Sequence, residues 1–209
     1  MAEINSDFVQ TLSGKIGGVS VVECYGKKFA RLLPGTYHDA QSEEQLQQRG
    51  KLKAVTVLYQ RMKDSPIRRI WRVAAIGLPM SGYNLFLKRN IHAFRGDGFV
   101  ADYSQLHFSE GVRQQAENLN LETMSDGNFT LHWTCNPDTA SSSHTDQLLI
   151  ILIEEKTSFL PLYIATTVCR ADENYTFRLP AGVSLPSHLY CFFSNENFYQ
   201  FSNDKHFQL

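Results

Sequence analysis

The run QLLIILIEE, Gln147 to Glu155, contains the longest aliphatic stretch of the chain, LLIILI from Leu148 to Ile153. That stretch is far too short for a bilayer, which takes about 20 apolar residues in a helix. It is read instead with its neighbours: NLNLETM from Asn118, FTLHWT from Phe129, FLPLYIATTV from Phe159, NYTFRLP from Asn174, HLYCFFSN from His188 and FYQFSN from Phe198. Each is rich in β-branched or aromatic residues, and Gly, Pro, Asn or Asp punctuates them. Seven such runs in roughly a hundred residues predict a two-sheet β-sandwich of immunoglobulin or fibronectin type III style over 111–209. Strand alternation would divide Tyr190, Cys191, Phe192 and Phe193 between core and surface, which leaves at least one ring for a partner.

Upstream of residue 111 the pattern differs. SGKIGG, Ser13 to Gly18, looks like a phosphate-cradling loop, but such a loop follows a strand and opens a helix. Here the glycines precede VSVVECY, Tyr25-Gly26 supplies a turn, and KFARLLP runs back, so the segment reads as a β-hairpin. SEEQ, Ser42 to Gln45, has capping-box spacing and opens a first helix, whose Leu52, Val55, Tyr59 and Met62 share one face and are expected to be buried. Gly50 is a weak spot in that helix. Ser65 and Pro66 start a second helix with Ile67, Ile70, Trp71 and Ala74 inward; a third follows Ser81 with Tyr83, Leu87, Ile91 and Phe94 inward. The expected fold class is α+β: an N-terminal β-hairpin and about three helices in one module, 1–110, and the sandwich in a second, 111–209.

The 209 residues, 43% hydrophobic and 12% aromatic, suffice for substantial cores and argue against wholesale disorder. The opening MAEINSDFVQ lacks the basic end and apolar run of a secretory signal, so a cytoplasmic location is expected, with no transmembrane segment. Cys24, Cys135, Cys169 and Cys191 form no C-x-x-C pair and no metal spacing with histidine. Reduced, mostly buried thiols are expected, with a Cys169–Cys191 bridge as the alternative in an oxidising compartment. Neither a metal nor a cofactor is implied.

Net charge is −1, yet 1–110 holds 15 Lys and Arg against 10 Asp and Glu, and 111–209 holds 5 against 11. Between Arg49 and Arg95 eleven basic residues accompany one acid, Asp64. Arg68, Arg69 and Arg72 fall on one side of the second helix, and Lys88, Arg89 and His92 repeat the spacing on the third. Side by side, the six would form one patch for phosphate oxygens, giving salt-sensitive nucleic-acid binding. The competing reading is a solvated surface or one that pairs with acidic protein, and the absence of helix-turn-helix or zinc-finger spacing favours it.

SGKIGGVSVVECYGKKFARLLPG, SEEQLQQRGKL, YNLFLKRN and DYSQLHFSEG, followed by a β-rich tail, together form a pattern that resembles a family of Bacteroidetes proteins of this length catalogued as a domain of unknown function. The likeness covers nearly the whole chain. It implies the architecture and a bacterial setting, and it implies no activity, cofactor or catalytic residue.

Catalytic residue types are present without a catalytic arrangement. His38 with Asp39, His132, His144 with Asp146, His188 and His206 are candidate bases, but none stands in a nucleophile elbow, a metal helix or a carboxylate pair. SSSHTD, Ser141 to Asp146, has the types of a Ser-His-Asp triad in consecutive loop positions, which cannot take triad geometry. The expectation is a non-catalytic interaction or assembly protein with a protein partner or self-association, and a nucleic-acid-binding accessory protein using the Arg49 to Arg95 surface is the alternative. A small hydrolase joining His38 to an acid of the sandwich is a third.

Overall fold

The computed structural model describes residues 2–3, 13–36, 39–125, 127–157 and 160–209. Its centre is the LLIILI stretch, in β7 (Gln147–Glu154), which pairs antiparallel with β10 (Ser187–Ser194) on one side and with β8 (Leu162–Cys169) on the other. β11 (Lys205–Gln208) completes the sheet in the order β11-β10-β7-β8. A second antiparallel sheet has the order β5-β6-β9, from β5 (Glu117–Thr123), β6 (Phe129–Thr134) and β9 (Asn174–Phe177).

The uninterrupted apolar run follows from burial on both faces, since successive side chains point to opposite sides of a strand. Leu148, Ile150 and Leu152, with Leu189, Cys191 and Phe193 opposite them, pack against Leu119, Phe129, Leu131, Trp133 and Phe177 of the second sheet. Leu149, Ile151 and Ile153, with Tyr190 and Phe192, pack against the helices. The YCFF segment therefore sends its rings alternately into two cores, and the expected surface ring is not among them. Tyr199, in the turn before β11, is the one that reaches solvent, at 63% exposure. FYQFSN forms isolated bridges rather than a strand, and KHFQ supplies the last strand.

The helical layer comprises α1 (Glu43–Arg61), α2 (Ile67–Ala74) and α3 (Gly82–Asn90). Ser81 caps α3 by accepting from the Asn84 amide at 3.2 Å. Its stripe sits slightly round from the expected one: Leu85, Phe86, Ala93 and Phe94 are buried, and Tyr83, Leu87 and Ile91 pack at the margin. On α1 the buried set is Ala54, Val55, Leu58 and Met62, and Leu52 is 44% exposed. At about 100° per residue, Leu52 lies some 60° from Val55 on the side away from Leu58. Gly50 is a close-approach point rather than a weak spot, because a Cβ there would meet the Gly96 carbonyl oxygen at 1.8 Å.

Helices and sandwich thus belong to one body, and the division expected at 110/111 is replaced by one at Ser42/Glu43. The physical reason is the shared core: the inward stripes of α1 to α3 are covered by β7 and β10, not by one another alone.

The N-terminal unit is an antiparallel sheet in the order β1-β4-β3-β2, from β1 (Ala2–Glu3), β2 (Gly14–Ile16), β3 (Val19–Cys24) and β4 (Lys27–Leu32). Tyr25 and Gly26 take φ of 50° and 74°, the two positive angles that a two-residue hairpin turn requires. The glycines at 17 and 18 join β2 to β3, so the phosphate-loop reading has no helix to serve.

Candidate functional sites

Three of the six expected basic residues converge. Arg68, Arg69 and Arg72 of α2 line one pocket of about 360 Å3 with Tyr59, Lys63 and Ser65, and no acid stands in that lining. Arg68 donates to the carbonyl oxygens of Tyr59 and Gln60 at 3.4–3.5 Å, with its guanidinium 5.0 Å from the Tyr59 ring centre. Arg69 donates to the Asn197 carbonyl at 3.4 Å and lies 4.4 Å from the centre of the Tyr199 ring. Both contacts orient a guanidinium with a neutral acceptor, which leaves its charge in place. Burial pushes the Tyr59 hydroxyl above its usual range, against the pull of Arg68 and Arg72.

The α3 residues separate from that group. Arg89 forks onto Glu110, with Nε and Nη2 at 2.7 and 2.5 Å from its two carboxylate oxygens, and this bidentate pair pushes the arginine further up. Lys88 on α3 and His92 in the 3-10 turn that follows it, Ile91–Ala93, are exposed. Arg68, Arg69 and Arg72 share their pocket with Lys63, and Arg89 lines a different one.

That second pocket, of about 340 Å3, is lined by Arg89, His107, Ser109, Glu110, Asn203 and Asp204. The Asp204 side chain is buried; it faces His107 Nδ1 at 3.1 Å and accepts from the Phe108 amide at 2.6 Å. The hydrogen bond that His107 donates to Asp204 holds the imidazole above its ordinary value, although burial opposes it. Buried Asn90 clamps the same residue by accepting from its amide at 2.7 Å and donating to its carbonyl at 3.0 Å. Ser109 turns its hydroxyl inward to the Ser202 carbonyl at 2.6 Å. His107 was missed among the candidate bases because its partner lies 97 positions downstream, which no local spacing reveals.

The other titratable candidates take structural partners. His144 pairs with Asp138, Nδ1 to Oδ2 at 2.7 Å, not with Asp146. Asp146 is buried between Arg113 and Arg170, so the SSSHTD loop is more than a solvated excursion. Arg170, fully buried, also donates to Asn136 at 2.5 Å and to the Gln114 carbonyl at 2.7 Å; burial pushes its guanidinium down and Asp146 opposes this. His188 bridges Glu155 at 3.1 Å and His206 at 2.9 Å, and burial depresses His206. His132 stands 3.6 Å from Glu122 at the surface. Tyr37 and His38 lie outside the described residues. Among the described residues no three His, Cys, Asp or Glu converge as a metal site, and no helix is long and apolar enough to cross a membrane. All four cysteines are free; Cys191 is buried, Cys24 exposed and the other two intermediate.

The N-terminal sheet presents a different kind of surface. Its register sets Ile16, Val19 and Leu32 side by side across β2, β3 and β4, with Ile16 and Leu32 47% and 79% exposed.

Residues 11–205 match a family profile described as a family of unknown function, DUF6266. The chain belongs to the DUF6266 family. No curated protein matches it. The DUF6266 match takes in β2 to β10 and the three helices, so both pockets and the apolar row lie inside it.

Proposed function

We propose that the chain is a non-catalytic interaction protein that assembles with a second copy of itself through its N-terminal sheet. The observation that carries this reading is the apolar row Ile16, Val19 and Leu32, two of whose members stand in water. Moving one leucine from water into a dry contact contributes about 1.5–3 kcal/mol. The same face carries Glu23 directly opposite Lys28, so it holds charge of both signs. β2, at the edge of the sheet, adds main-chain groups for pairing. This mixed charge favours a like partner over a strongly acidic or basic one.

The sandwich is read as immunoglobulin/fibronectin-III-like, supported by its antiparallel strands split into sheets of four and three. Such domains commonly present loops to partners, a step of analogy. Free thiols fit a reducing, cytoplasmic setting; the Bacteroidetes setting rests on the sequence resemblance alone.

Light scattering behind a sizing column, over a concentration series, tests assembly. The expected result is a mass that rises from one chain to two with concentration, and a Leu32→Glu variant held at one chain. A wild-type mass of one chain at every concentration overturns the reading.

The nucleic-acid reading has Arg89 neutralised by Glu110, while Lys88 and His92 stay exposed. What it retains is a concave pocket suited to one anionic group rather than a track along a duplex.

A further inference from the structure

We infer that the α1–α2 corner is a phosphoryl-binding site whose ligand is a nucleoside phosphate, with the phosphate between Arg68, Arg69, Arg72 and Lys63 and the base against Tyr199. The site is independent of the self-association described above. Four cationic side chains line the pocket with no acid among its six lining residues, and the neighbouring Asp64 lies 4.0 Å from Lys63 while pointing almost wholly into water. Arg68 and Arg69 are held by carbonyl oxygens, which fix the planar forks and leave their charge for an incoming anion. Arg89 is the internal contrast: its fork is filled by Glu110.

The ligand class follows from charge and from the ring beside the pocket. A phosphate ester carries up to two charges at neutral pH and three strong acceptor oxygens, matching several forks better than a carboxylate does. Tyr199 is built into position rather than left loose. The Asn195 side chain accepts from the amides of Tyr199 and Gln200 at 2.9 and 3.0 Å, and the Asn197 carbonyl of the same turn holds Arg69. Arg69 covers the ring at 4.4 Å, and the ring remains 63% exposed, a stacking platform for a planar base one side chain away from the phosphate cluster.

Calorimetric titration at low salt of the full chain with ADP, pyrophosphate and sulfate tests this. ADP is expected to bind at least tenfold more tightly than pyrophosphate, and pyrophosphate more tightly than sulfate. Arg72→Gln, an exposed change that leaves the melting temperature in place, is expected to weaken ADP and pyrophosphate alike by tenfold or more. Tyr199→Ala is expected to bring ADP down to the level of pyrophosphate and to leave pyrophosphate unchanged. Absence of binding for all three anions overturns the site, as does binding indifferent to Arg72→Gln. Equal affinities for ADP and pyrophosphate, unmoved by Tyr199→Ala, overturn the nucleoside assignment. Neither result bears on the light-scattering outcome.

Discussion

The central sheet and the N-terminal sheet are both antiparallel and both carry apolar side chains, but the two middle strands of the central sheet, β7 and β10, are buried on both faces, whereas apolar residues of the N-terminal sheet are exposed. β7 and β10 send alternate residues into two cores because three helices lie on one face and a second sheet on the other. The N-terminal sheet, of four short strands within residues 1–42, leaves Ile16 and Leu32 in water. Apolar composition therefore does not decide whether a strand is a core element; the number of layers available to cover it does. Exposed apolar side chains on a sheet face are the kind of surface that the proposed self-association would cover.

The contrast is sharpest in the response to truncation. Asp146→Ala leaves buried Arg170 facing a lost carboxylate and is expected to cost about 3–5 kcal/mol in urea denaturation. A cost below about 1 kcal/mol would mean that this cluster does not seal the sandwich. Ile151→Ala, in the helix-facing core, is expected to cost about 2–5 kcal/mol, whereas Leu32→Ala at concentrations below association should stay within about 0.5 kcal/mol. Equal penalties would erase the distinction between the sheets. Gly50→Ala forces α1 away from the Gly96 backbone, with an expected loss of about 1–3 kcal/mol and no change in association of the N-terminal sheet.

The smallest expected effect concerns His107. Its folded value is raised by Asp204, so its contribution is whole below the ordinary imidazole value of 6.5 and fades as pH climbs past the raised value. Melting temperatures from pH 5.5 to 8.5 should fall more steeply for wild type than for His107→Gln; parallel curves would show that the pair adds nothing. The imidazole is half exposed, which keeps the effect small.

Much of this fold is legible locally. Tyr25-Gly26 announces a hairpin turn, Ser81 a helix start, and LLIILI a strand too rich in aliphatics for a solvent-facing sheet. What is not legible depends on partners far along the chain. Leu52 and Leu58 are equivalent by composition, and only the core that α1 shares with α3 and the turn after it selects Leu58. Arg89 resembles Arg69 in sequence, yet Glu110 fills its fork 21 residues later. His107 and Asp204 meet because β10 and β11 return the chain to the helical side, and the two-face burial of YCFF follows from a layer whose position no alternation pattern encodes.

The most direct test of assembly through the N-terminal sheet is amide hydrogen exchange measured at two protein concentrations, below and above association. Slower exchange at the higher concentration, confined to peptides spanning Gly14 to Leu32, is the predicted result. Exchange in those peptides that is indifferent to concentration, or protection that appears only in the sandwich, would contradict the account.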